Sequence, residues 1–186
     1  MIKRLSDRLY TLSKGCVALL SLVGFLLFTA LVLPGQAAKA QEYASVLGSP
    51  DMSFIYSSQD LYSMAEFYGQ AGRQAYIHAR FSFDLVFPLV YTFFLAACTS
   101  WLLARALAQK SPWRRINLLP LAALGFDYLE NITTSVVMSR FPAPSPLAAF
   151  LAPPFTFIKW LLVGGSFLVL TAALVLFLIR KKKERQ

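Results

Sequence analysis

Four long apolar runs organise the chain. They cover about 16–33, 81–104, 116–138 and 155–179. A helix of roughly 20 residues crosses the ~30 Å hydrocarbon core of a bilayer, so each run is long enough to span it. Alternation with period two is absent, and lipid admits only helices or closed barrels, so the runs read as helices. The pattern predicts an all-α integral membrane protein, a four-helix bundle forming one membrane domain over 1–186. The third run is the least apolar. Pro153-Pro154 marks an expected start for the fourth. The first run has a competing reading. A basic N-terminus, an apolar stretch and Ala38-Lys39-Ala40 resemble a secretory signal with its cleavage site. At 18 residues the stretch exceeds the usual ~7–15 of a signal, which favours an uncleaved span.

The segment 34–80 is the one long polar connection and is expected on the outer side. Gly35–Met52 reads as loop. Ser57-x-x-Asp60 then gives a capping-box start. Leu61, Met64, Ala65 and Tyr68 follow at helical spacing, opposite Asp60, Ser63, Glu66 and Gln70. This predicts a three-turn amphipathic helix on the outer leaflet or capping the bundle. Gly69 and Gly72 are expected to bend the chain after it.

Polar residues inside the runs carry the candidate chemistry, because ionisable groups in lipid are costly and face the bundle interior. On the second run, Arg73, Tyr76, Arg80, Asp84, Tyr91 and Cys98 fall on one helical stripe. Arg80 and Asp84 are four apart and suited to pairing. Pro88 lies on the same stripe and is expected to free a backbone carbonyl. On the third, Asp127, Glu130, Asn131 and Thr134 share a face. On the fourth, Thr156, Lys159, Val163 and Ser166 do. The helix rise places these groups at comparable depth in the outer half of the bilayer. Arg80, Lys159 and Arg73 would there balance Asp84, Asp127 and Glu130. Two readings stand. One is a polar cavity open to the outer side. The other is a buried ion-pair network that fixes helix register. Individually, Lys159 could snorkel outward and Arg80 could anchor at headgroups.

Composition agrees with the pattern. Apolar residues are 57% of the 186, against about 45–50% in soluble domains, and charged residues are 15%. The net charge of +9 would suggest nucleic acid in a soluble chain. Position decides otherwise. Thirteen of the 18 basic residues lie in 3–14, 105–115 and 180–185, beside the ends of runs. That asymmetry predicts both termini in the cytoplasm of a bacterial inner membrane, with lipids rather than nucleic acid as partners. Cys16 and Cys98 lack a CxxC arrangement and read as buried structural thiols. Gly164-Gly165 would permit close helix contact, in a homo-oligomer or within one bundle. No metal site, cofactor or hydrolase fingerprint is indicated, and catalytic residues are not identified. His78 reads as an interfacial residue.

Tyr68-Gly69-x-x-Gly72-Arg73-x-x-Tyr76, Asp84-x-x-x-Pro88-x-x-Tyr91, Asp127-x-x-Glu130-Asn131 and Lys159 together resemble a group of small four-helix bacterial membrane proteins with no assigned activity. The resemblance covers about 60–160. It implies a membrane-embedded helical fold and no activity. The residues themselves lead to a binding or transport-type protein. Asp84, Tyr91, Asp127, Glu130, Asn131 and Lys159 would form its cavity, with Arg73, Tyr76 and Arg80 as a gate. The alternatives are an accessory subunit of a larger membrane complex and a membrane enzyme acting on lipid.

Overall fold

Ile2, Leu5, Leu9 and Leu12 recur at helical spacing, and in the computed structural model they form one edge of α1 (Ile2–Leu12). The basic N-terminus is therefore a helix in its own right, which its charge had concealed. The structure describes residues 2–44 and 47–184. Among these, eight α-helices and two short 3-10 helices occur, and no strand. The all-helical expectation holds.

A turn at Ser13-Lys14 ends α1, and α2 (Gly15–Leu31) leaves at 90° to it. α3 (Leu33–Ala44) corrects the expected loop over Gly35–Met52. Pro34 sits in the first turn, where its missing N–H is harmless, and Ala37, Ala38, Lys39, Ala40 and Gln41 are strong helix formers. A 3-10 turn, Pro50–Met52, follows.

α4 (Ser58–Phe67) is the expected amphipathic helix. Ser57 and Asp60 cap it reciprocally, backbone to side chain. Asp60 is exposed, and hydrogen bonds from Ser57 hold its carboxyl below the usual range. Leu61, Met64, Ala65 and Tyr68 are buried with Val137, Met138, Ala149 and Ala152, so the apolar face packs into protein. Gly69 adopts φ 61°, a left-handed conformation that ends α4 and suits glycine. Gly72, in contrast, lies within α5 (Gly69–Arg80), where the side chains of Tyr43 and Tyr68 crowd it. α6 (Phe83–Ala106) follows directly.

A 3-10 helix, Pro112–Leu118, replaces the expected start of the third run. α7 is Leu119–Arg140. α8 runs over Pro146–Lys183, so Pro153-Pro154 lies inside it rather than at its start. The reason is local. Pro153 has no N–H for the Ala149 carbonyl, and Ser58 donates to that carbonyl at 2.8 Å instead.

Two stretches among the described residues are long and apolar enough to cross a membrane, Gly69–Ala106 and Pro146–Lys183. The bent pair α1–α2 makes a third if taken as one span. α7 is not among them, because Asp127, Glu130 and Asn131 lower its hydropathy.

The chain packs as two compact units. One comprises Met1–Leu27, Val90–Ala123 and Leu161–Gln186, the other Phe28–Leu89 and Leu124–Trp160. In the first, Leu102, Leu103 and Ala173 form a core with Trp101, Leu170 and Phe177 around it. Gly165 approaches Leu119 so closely that a Cβ would meet its Cδ2 at 3.3 Å, a packing role within the chain. Cys98 is half-buried and donates to the Ala18 carbonyl at 3.3 Å. Cys16 is exposed, not buried as expected, because it shares a face of α2 with the exposed Leu19, Leu20, Val23 and Leu27. The second unit carries the candidate site.

Candidate functional site

Arg80 ends α5 and Asp84 lies in the first turn of α6, so the i, i+4 spacing survives the break at 81–82. Arg80 Nη2 lies 2.8 Å from Asp84 Oδ2, and Nη1 lies 2.9 Å from Asp51 Oδ2. The guanidinium also stacks over the Tyr76 ring at 4.6 Å. Tyr76 is fully buried and Arg80 is 5% exposed. Arg80 is thus a buried counter-ion to these two carboxylates and does not reach outward.

Asp51 comes from the 3-10 turn, and Ser49 donates its hydroxyl to Asp51 Oδ1. Burial pushes the Asp51 carboxyl up, but Arg80 and then Lys159 outweigh it and hold the group below the usual aspartate range. The Asp51 carbonyl accepts from Trp160 Nε1 at 3.1 Å and from Lys159 Nζ at 3.4 Å. Trp160 is therefore tied to the outer segment by its indole N–H.

Lys159 turns inward. Its Nζ lies 2.5 Å from Glu130 Oε2, with both side chains buried. The snorkelling alternative is excluded by this contact. Glu130 Oε1 is buried and meets no hydrogen-bond donor among the described residues. One turn away, Asn131 Nδ2 donates to Asp127 Oδ1 at 3.2 Å and to the Asp84 carbonyl at 3.4 Å. The Asp84 carbonyl is the one Pro88 deprives of a helical partner. Tyr128 donates to the next carbonyl, Leu85, at 2.9 Å. The proline in α6 is thus accommodated by two side chains of α7.

The chain of charge runs Asp84, Arg80, Asp51, Lys159, Glu130, with Asp127 beside it. Of the residues expected at the site, Tyr76, Arg80, Asp84, Asp127, Glu130, Asn131 and Lys159 come together in this unit. Arg73 does not join them. It donates to the Ala65 carbonyl at 2.8 Å and stacks on Phe141 at 4.9 Å, where it braces α4. Tyr91 is buried but belongs to the other compact unit. Thr134 donates back to the Glu130 carbonyl, and Thr156 meets the Tyr56 hydroxyl at 2.9 Å. Burial raises the Tyr56 hydroxyl pKa, so it stays neutral.

The expected balance of three cations and three carboxylates is corrected. Asp51 enters and Arg73 leaves, so Arg80 and Lys159 face Asp51, Asp84, Asp127 and Glu130. Asp51 has no periodic signal in the sequence. It is a lone acid after Ser49-Pro50, placed by the fold of the outer segment. Beside it lies a cavity of ≈ 330 Å³, walled by Asp51, Arg80, Asp84, Tyr43, Met52 and Phe83. Among the described residues, no three His, Cys, Asp or Glu side chains converge to hold a metal ion. Tyr43, Met52 and Phe83 give this cavity an amphipathic wall.

No family model, no curated protein and no solved structure matches this chain.

Proposed function

We propose that the chain is a polytopic membrane protein of binding or transport type, whose outer-half cavity takes a small polar ligand bearing a cationic amine, such as an amine-bearing lipid headgroup. The observation that carries this reading is the pair of carboxylates, Asp51 and Asp84, flanking one guanidinium at the wall of the ≈ 330 Å³ cavity. The volume suits a small ligand. Asp51 and Asp84 would receive the amine, and Arg80 would receive an attached anionic group. Met52 and Phe83 would cover its apolar part. In this reading α2, α5–α6, α7 and α8 cross the bilayer as four spans, with basic ends inside. The polar residues of α7 would be tolerated because Lys159 faces Glu130 and Asn131 bonds Asp127 and the Asp84 carbonyl.

The test is calorimetric titration of detergent-purified protein with glycerophosphoethanolamine. Binding is expected, and Asp84→Asn weakens it by about tenfold, the size of one charge-assisted hydrogen bond. Absence of binding by the wild type, or equal binding by Asp84→Asn, refutes the reading.

A second reading, an accessory subunit, draws on α8. Its most apolar window is only 11% buried, leaving Leu161, Leu168, Val175 and Leu176 exposed. A stoichiometric partner retained from native membrane in mild detergent would favour it.

A further inference from the structure

We propose that the ligand of the outer cavity is an intact phospholipid with a primary amine in its headgroup, drawn sideways from the bilayer, its acyl chain laid along a ladder of phenyl rings below Phe83. The inference rests on the function proposed above and names the class and route of its ligand. Phe83 stands at the junction. It walls the ≈ 330 Å³ cavity beside Asp84, and its ring stacks on Phe87 at 5.4 Å and on Phe28 at 5.9 Å. Phe28 and Phe87 stack on each other at 5.7 Å. All three rings are only partly buried, so each keeps some surface outside the protein. Phe87 lies one turn along α6, about 6 Å deeper if α6 spans the bilayer. Through Phe83 the polar cavity therefore adjoins an aromatic strip that descends into hydrocarbon. A free amine has no part to match that strip.

A second observation sets the level. Met52, which also walls the cavity, and its near neighbours Phe54 and Ile55 are exposed apolar side chains of the outer segment. Phe54 meets Phe157 of α8 edge-on at 5.1 Å. A segment outside the spans that presents three large apolar side chains belongs in the boundary between headgroups and acyl chains. The cavity then stands where phospholipid headgroups are. Its polar groups match such a headgroup. Asp51 and Asp84 hold the ammonium, and the Arg80 guanidinium between them meets the phosphate. Contact with phenyl rings gains little over contact with other lipid. What the ladder supplies is a path on which the chain stays in hydrocarbon while the headgroup is seated.

The experiment is native mass spectrometry of the full chain in detergent, offered phosphatidylethanolamine, phosphatidylglycerol or glycerophosphoethanolamine. Wild type is expected to retain phosphatidylethanolamine at least about tenfold better than glycerophosphoethanolamine, because the chain tethers the headgroup beside its site. Phe87→Asn puts an amide on the path of the chain. It should weaken phosphatidylethanolamine retention about tenfold and leave glycerophosphoethanolamine held as before. Phe87→Leu keeps the path apolar and should retain the lipid. Leu89→Ala, at an exposed position on another side of α6, should change nothing. Equal retention of phosphatidylethanolamine and glycerophosphoethanolamine, or equal loss of both in Phe87→Asn, overturns the lipid assignment and leaves the amine reading standing. Retention of phosphatidylglycerol equal to that of phosphatidylethanolamine refutes the amine reading itself, and this inference with it, so the two failures are distinguishable.

Discussion

Ser58, in the first turn of α4, donates a 2.8 Å hydrogen bond to the carbonyl of Ala149, which Pro153 leaves without a helical donor. One hydroxyl therefore couples the outer helix to the interior of α8. Ser58→Ala should cost about 1–2 kcal/mol, the penalty of an unsatisfied buried acceptor. In a Pro153→Ala background the new N–H serves Ala149, and most of that cost should vanish. A double-mutant cycle on thermal unfolding in detergent reads the coupling.

The Lys159–Glu130 pair should be far more sensitive to half-removal than to full removal. Lys159→Met leaves Glu130 buried without its cation and should cost about 3–5 kcal/mol. Lys159→Met combined with Glu130→Met should recover much of the loss. If the single and double variants unfold alike, the pair is not energetically coupled. Glu130→Gln, which removes the charge that Lys159 meets, is on this geometry a stability variant as well as a site variant.

Asp51 gives a pH signature. Its folded-state pKa lies below the unfolded one, so its contribution is present above the unfolded value and is lost as pH falls through the folded one. The stability difference between wild type and Asp51→Asn should stay constant from about pH 8 to about pH 5 and fade below about pH 4. Unfolding midpoints measured across that range check it. A difference that grows on acidification would contradict the assignment.

Two glycines should respond with opposite sign. Gly69 has φ 61° and open space around it, so Gly69→Ala should cost about 1–2 kcal/mol through backbone conformation alone. Gly24 lies within α2 with open space where a Cβ would stand, so Gly24→Ala should stabilise by about 0.5–1 kcal/mol. Unfolding midpoints of the two variants decide the matter.

Much of the site was legible because its residues stand in the wrong solvent. Arg80, Asp84, Glu130 and Lys159 are conspicuous within apolar runs, and helical spacing sorts them onto facing stripes. Asp51 was not legible. It lies in a polar segment where an acid is unremarkable, and only the path of that segment brings it to Arg80. The same spacing misled at Arg73, where a stripe continues geometrically while its environment changes, and the Ala65 carbonyl captures the side chain. Pro34-Gly35 concealed α3, since both residues punctuate loops as often as helix starts. Pro153-Pro154 suggested a boundary because the rescuing donor, Ser58, is remote in sequence.

Glu130 sits on α7 and its cation, Lys159, on α8, which the ribosome makes later. In the membrane reading, α7 emerging alone would carry a buried carboxylate with no counter-ion. It would be a poor passenger for lateral release into lipid until α8 follows. The two helices are then matched as a hairpin for insertion, and a chain truncated before Lys159 should stall at the translocon or be cleared rather than leave a partial bundle behind.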